Sequence, residues 1–451
     1  MASAAEQLAA NMNFASFQKA TELHKRIWFT IIALVVYRLG TYVPIPGVDP
    51  AAFSRLFSGS AEGILGMFNT FSGGAVQRMA IFSLNVMPYI SASIIVQLMG
   101  TVYPPWEKLK KEGGEAGRKT LNQYTRYLAV VLAVVQSASI AMGLQAQPGV
   151  VAGGVGSAFF VVSTVVTLTG GTLFLMWLGE QITSRGVGNG VSLIIFAGIV
   201  AHLPISLGQL LVQAQTSGNY TPLFLILIGA VGAILAIVFM ERSQRRLLVH
   251  YPKRQQGNRM IGGESSFMPL KINTSGVIPP IFASSLLLLP TTALQFVQTT
   301  NLPEWASWLP GVVGSLQHGH PMFLVFYALL IIFFSFFYTS VVFNPEETAE
   351  NLRKYGGFLP GIRPGKRTAE YLDYVLTRLT VIGAAYITAV CVAPELVMIA
   401  IKSNQFALGG TSILIVVTVT MDTVAQIQSH LLAHQYEGLI KKSKLRGGRS
   451  R

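Results

Sequence analysis

Charge is scarce in this chain. Of its 451 residues only 12% are Asp, Glu, Lys or Arg, while 51% are hydrophobic and the mean hydropathy is +0.51. A soluble globular protein carries about 25% charged residues, so this composition excludes one and points to a bilayer. Cysteine is nearly absent as well: Cys391 stands alone, which excludes a disulfide framework and a cysteine-based metal site. Ionisable groups are missing where chemistry inside a membrane would need them. Arg38, Glu180 and Asp422 lie toward the ends of apolar runs, where snorkelling or a structural pairing accounts for them. There is no HExxH and no Walker phosphate loop; His318 with His320 and His430 with His434 are pairs lacking a third ligand. Gly186-Val187-Gly188-Asn189-Gly190 lacks the spacing of a phosphate loop and reads as a tight turn. An intramembrane enzyme or proton pump is therefore disfavoured, and no cofactor or metal is expected. The opening segment, through Phe14, Phe17 and Leu23, lacks the apolar core and cleavage pattern of a signal peptide and reads as a short interfacial helix.

What the sequence does have is apolar runs, at approximately 25–43, 76–101, 122–144, 155–179, 188–212, 222–241, 273–297, 322–343, 375–398 and 407–431. Each is of the length that crosses a bilayer as a helix, which predicts ten transmembrane spans. Basic residues test that division. About 29 of the 33 Lys and Arg fall in the N-terminal segment, the C-terminal tail and alternate loops, against Arg55, Arg78 and Lys402 in the others. Nearly the whole formal charge of +14 thus lies on one face, and the termini are expected in the cytosol. The expected organisation is a cytosolic segment 1–24, a first half 25–220, a second half 221–436 with cytosolic loops near 242–272 and 344–374, and a basic tail 437–451.

Five spans per half is an odd number, so an internal duplication would set the second half upside down relative to the first. Prolines mark corresponding positions: Pro88 in the second run, Pro279 and Pro280 in the seventh. A proline that interrupts a span frees backbone groups, which is tolerated only against protein, other polar groups or water, so these two spans are expected to border the functional interface. The first external loop holds an apolar stretch, 62–74, too short to cross the bilayer; it would either lie on the surface or fold back into a cavity. Its glycines, ending in Gly73-Gly74, suggest a mobile element hinged at one end.

Longer strings identify a family. Pro44-Ile45-Pro46-Gly47, Phe68-Asn69 with Phe71-Ser72-Gly73-Gly74, Met87-Pro88-Tyr89-Ile90-Ser91-Ala92-Ser93, Gln123-Tyr124-Thr125-Arg126-Tyr127, Trp177-Leu178-Gly179-Glu180-Gln181, Lys253-Arg254-Gln255-Gln256-Gly257, Pro360-Gly361-Ile362-Arg363-Pro364-Gly365 and Gly409-Gly410-Thr411-Ser412 occur in this order. Across nearly its whole length the chain resembles the SecY family, channel subunits of the bacterial protein-conducting translocase. The resemblance implies an all-α membrane protein, ten helices in two inverted five-helix halves around an hourglass pore. It implies a waist ring of Val86, Ile90, Val191, Ile195, Ile281 and Ile415; an apolar constriction of this kind dewets and blocks ions. It further implies a plug including Ile64, Leu65, Met67, Phe68, Asn69, Phe71, Ser72, Gly73 and Gly74.

A lateral gate between the second and seventh spans would carry Pro88, Gln97, Asn273, Pro279 and Pro280, with Gln97 and Asn273 as a polar pair across it. Lys253, Arg254 and Arg363 would dock a ribosome or the motor ATPase SecA. The partners implied are SecE, SecG, SecA, the ribosome, signal-bearing preproteins and membrane lipid, with SecDF and YidC beyond them, in a bacterial plasma membrane. No transit peptide is evident, which favours that membrane over an organelle's. The competing class is a secondary transporter of a small solute, which also uses inverted halves and broken helices but places polar ligands at the midplane.

Overall fold

The computed structural model describes residues 21–60, 69–111, 113–145, 149–151, 156–218, 220–252, 254–256, 259–261, 265–296, 321–401 and 409–447. In lipid a backbone must satisfy its own hydrogen bonds, so each apolar run is expected to become a helix. The helices are α1 (Thr21–Gly40), α2 (Pro50–Ser60), α3 (Met87–Val102), α4 (Pro104–Lys111), α5 (Gly114–Gln145), α6 (Ser157–Arg185), α7 (Gly190–Ser217), α8 (Thr221–Arg242), α9 (Ile278–Phe296), α10 (Pro321–Val342), α11 (Pro345–Lys354), α12 (Lys366–Ile401) and α13 (Gly410–Gly447). Ten of them, all but α2, α4 and α11, correspond to the ten apolar runs. Seven (α5, α6, α7, α8, α10, α12 and α13) are long and apolar enough to cross a bilayer. The 20-residue α1 has charges at both ends, from Glu22 to Arg38, while α3 is 16 residues long and α9 is 19.

The second run departs from expectation. Its first part, 76–86, is a succession of turns, and α3 begins only at Met87. Positive φ at Met79 and Asn85 breaks the helical path there. Pro88 consequently lies in the first turn of α3, and Pro279 and Pro280 lie in the first turn of α9. A missing N–H costs nothing at that position, so these prolines begin helices rather than kink them.

The loop 242–272 also folds, which composition does not foretell. β1 (Gln244–His250) pairs antiparallel with β4 (Ser265–Lys271), Gln244 opposite Lys271 and His250 opposite Ser265. Between them β2 (Arg254–Gln256) pairs with β3 (Arg259–Ile261). Leu247, Val249 and Leu270 turn inward from this hairpin onto Ala349, Leu359, Leu372, Leu376 and Leu379, making an apolar cluster separate from that of the spans.

The packing partners reveal two like halves. Within the first, α3 packs on α5, α5 on α6, α6 on α7, and α1 on both α6 and α7. Substituting α8 for α1, α9 for α3, α10 for α5, α12 for α6 and α13 for α7 gives the same five pairings in the second half. The halves meet where α3 touches α9 and α7 touches α13, with α1 against α13 matched by α8 against α7. One contact breaks the pattern: α9 also reaches α5, whereas its counterpart between α3 and α10 is weaker.

Candidate functional site

The two marked helices begin alike. Asn85 (φ +49) precedes Val86, Met87 and Pro88, and Gly276 (φ +63) precedes Val277, Ile278 and Pro279; in each case the helix starts two residues after the positive φ. Ile90 and Ile281 are then each the fourth helical residue. The other pair of equivalent helices behaves the same way. Each opens on a glycine whose missing Cβ lets its backbone close on the preceding helix, Gly190 against the carbonyl of Gly179 and Gly410 against that of Val390. Ile195 and Ile415 are each the sixth residue of α7 and α13.

All six waist candidates fall in one apolar cluster. Val86, Ile90, Ile195 and Ile415 are buried in it, and Val191 and Ile281 pack against it half-buried. That cluster extends through most of the bundle, so sharing it brings the six together without singling them out as a ring. The glycine turn before α7 is tied down as its tight geometry requires. Asn189 caps the helix by accepting from Val191 N and Ser192 N, Gly188 N donates to Gln426 Oε1 at 2.9 Å, and Val187 N donates to Thr30 Oγ1 at 3.0 Å.

α3 and α9 meet at Met87 and Ser285, whose Oγ lies 4.0 Å from the methionine sulfur. The expected bond between Gln97 and Asn273 is not made. Gln97 donates to Ser93 Oγ, one turn back on its own helix, at 3.2 Å, and its buried Oε1 has no partner among the described residues. Asn273 is committed elsewhere: its Nδ2 donates to Glu241 Oε1 at 2.5 Å, and its Oδ1 accepts from Ser275 Oγ and Gly276 N, both at 3.0 Å. A carboxylate makes a stronger acceptor than a neutral amide, which is why Glu241 holds this donor. Glu241 passes unnoticed in the sequence because a single acid beside Arg242 reads as an ordinary span flank.

Of the plug candidates, Ile64, Leu65, Met67 and Phe68 lie outside the described residues. Asn69, Phe71, Ser72, Gly73 and Gly74 are buried in a tight knot. Asn69 Oδ1 accepts from Gln77 N at 2.9 Å, and Asn85 Nδ2 donates to Phe71 O at 2.8 Å. Two guanidiniums converge on one carbonyl: Arg38 Nη1 and Arg78 Nη2 donate to Gly73 O at 2.5 and 2.9 Å. Both also lie over the ring of Tyr42, at 4.9 and 4.2 Å from its centroid. The glycine pair is therefore not a loose hinge. Its positive φ values, +66 and +84, form a turn that the arginines fasten. Arg38 is accounted for by this carbonyl. Glu180 does find an ion pair, with Arg126 donating Nε and Nη2 to its two oxygens at 2.8 and 2.9 Å.

Lys253 lies outside the described residues, and of Arg254 the strand β2 alone is described. Arg363 is exposed on a turn flanked by Gly361 (φ +79) and Gly365 (φ +106), its carbonyl held by Thr368 Oγ1 at 2.9 Å. His250 and Phe358 exchange backbone hydrogen bonds of 2.9 and 3.0 Å, which joins the hairpin to the loop bearing Arg363. Among the described residues no three His, Cys, Asp or Glu are grouped as a metal site.

A model of the SecY family matches residues 80–424. The protein translocase subunit SecY of Rickettsia typhi is 51% identical over 442 residues, spanning 96% of this chain and 99% of its own. The subunit of the same name from Escherichia coli K12 is 50% identical over 429 residues, spanning 94% and 96%. Among solved structures, one described as a protein conducting channel aligns with a TM-score of 0.63 at 17% identity, covering 90% of this chain and 92% of that one. A second, described as showing that the plug domain of SecY stabilises the closed state of the translocation channel, aligns with a TM-score of 0.65 at 18% identity over the same shares. The structures share the fold, and the relatives set aside the solute-transporter alternative: the chain belongs to the SecY family and is a pore-forming subunit of a protein-translocation channel.

Proposed function

We propose that this chain conducts unfolded, signal-bearing polypeptides across a bacterial plasma membrane and releases their transmembrane segments into lipid between α3 and α9. The observation that carries the reading is the seam itself. Two equivalent helices from opposite halves begin in the same way, touch at Met87 and Ser285, and present Ile90 and Ile281 in the same register to one apolar cluster. In this reading Val86, Ile90, Val191, Ile195, Ile281 and Ile415 form a constriction that stays dry at rest and yields to a chain whose own side chains replace the lost water. The segment 62–76 closes it on the external side. SecE and SecG complete the assembly, the termini face the cytosol, and SecA or a ribosome docks on Lys253, Arg254 and Arg363. Basic loop residues suit a ribosome because its RNA attracts them.

Conductance tests the waist. With Ile90→Asn and Ile281→Asn, the resting channel in planar bilayers is expected to pass ions that the parent blocks, because an amide at each position holds water in the constriction. A resting conductance equal to the parent's would remove these residues from the waist.

A further inference from the structure

The cytosolic hairpin is spliced directly between two membrane helices. β1 starts two residues after α8 ends at Arg242, and β4 ends at Lys271, shortly before α9. Its ladder does not stop at the pair Gln244–Lys271. One rung further toward the membrane, Ile272 N donates to Ser243 O at 3.2 Å. Beyond that rung the connection passes to side chains, in the 2.5 Å bond from Asn273 Nδ2 to Glu241 Oε1.

We propose that Glu241 is a positioning residue that fastens the root of this hairpin to the lead-in of α9, so that displacement of the hairpin is passed to the α3–α9 seam. Asn273 is the member that makes the joint firm. It is 4% exposed, its oxygen gathers Ser275 Oγ and Gly276 N, and its nitrogen also reaches Gly276 O at 3.2 Å. Gly276 then takes the positive φ from which α9 starts two residues later. The whole lead-in is thus wound around Asn273, and Asn273 is tied to the last turn of α8. On its other side, α12 closes the gap: a Cβ on Gly383 would stand 2.9 Å from the carbonyl oxygen of Ile272. Among the described residues Glu241 has no ion-pair partner, so its carboxylate serves the amide in a charge-assisted bond. At the outer end the hairpin is joined to the Arg363 loop through His250 and Phe358. A continuous chain of paired backbone and one side-chain bond therefore runs from both cytosolic loops to the gate helix.

The inference rests on the docking and gate roles proposed above, and the test separates the two. In membrane vesicles holding the whole channel complex, Cys391→Ser removes the native thiol, and Met87→Cys with Ser285→Cys reports the seam by its rate of disulfide formation. The rate is measured with and without SecA held on a non-hydrolysable ATP analogue, and SecA binding is measured in parallel. The parent is expected to slow on SecA binding. Glu241→Ala is expected to bind SecA equally and to lose about fivefold of that response, the worth of one interhelical bond in a membrane. Glu241→Gln keeps an acceptor and retains the response. Asn273→Asp keeps the oxygen that winds the turn but sets two carboxylates together, and it loses the response without loss of the fold. A full response in Glu241→Ala, or its loss in Glu241→Gln, overturns the fastening role. A parent that binds SecA with no change in rate overturns the gate reading itself.

Discussion

The lead-ins of α3 and α9 solve one backbone problem and are secured by opposite means. Each must start a helix inside the bundle, and each does so through a positive φ, a valine and a first-turn proline. The α3 lead-in, 69–86, is almost wholly buried and is fastened by two arginines on a backbone carbonyl, with Asn85 and Asn69 closing further turns. The α9 lead-in is wound around Asn273 by its bonds with Ser275 and Gly276, and one side-chain bond, from Asn273 to Glu241, ties it to the preceding helix at the root of the hairpin. Bonds to a backbone carbonyl hold whatever residue stands there and tie one part of the fold to another. A single amide–carboxylate bond is easier to break. The duplicated geometry thus supports one firmly held lead-in, before α3, and one yielding lead-in, before α9.

That contrast can be broken at four places, in order of expected effect. Arg38→Ala with Arg78→Ala strips both donors from Gly73 O and should cost about 3 kcal/mol, since hydrogen bonds to charged groups are worth about 1.5–3 each and these share one acceptor. Thermal unfolding in detergent measures it, and an unchanged midpoint would refute the fastening of the α3 lead-in. Gly73→Ala should cost about 2 kcal/mol, because αL strain adds to a Cβ placed 2.7 Å from Arg38 Nη1 and 3.1 Å from Gly198 Cα. Gly276→Ala meets nothing within 4 Å and should show the strain alone, about 1 kcal/mol. Equal losses at the two glycines would mean that the two lead-ins are equally crowded. Arg363→Glu, exposed on its turn, should leave stability within about 0.5 kcal/mol of the parent yet slow motor-driven export from vesicles. Normal export would remove it from the docking surface.

The ten helices were legible because apolar length and the alternation of basic loops are strong signals. Even the matched prolines were visible, though not their place in a first turn. The residues 76–86 misled because apolar composition does not separate a helix from buried turns; what decides is Asn85 and Arg78 satisfying backbone oxygens from their side chains. The hairpin was hidden by its arginines, since only Leu247, Val249 and Leu270 carry the alternation of a strand. Arg38 reads from the sequence as a snorkelling or paired charge at a span end, and its partner is a carbonyl 35 residues along the chain that no pattern encodes. Gln97 and Asn273 read from the sequence as a polar pair across the seam, but the acceptor that claims Asn273 comes from the preceding helix.

The central claim is that a polypeptide passes between the halves at the level of Ile90 and Ile281. It is tested most directly by site-specific crosslinking, with Cys391 replaced by Ser, a single cysteine placed at Ile90 or Ile281, and a translocation intermediate carrying its own cysteine presented to the membrane. The account predicts a disulfide at both positions that depends on the signal sequence. Crosslinks confined to controls exposed on the outside of the bundle, such as Phe239, would contradict it and take the polypeptide path away from this seam.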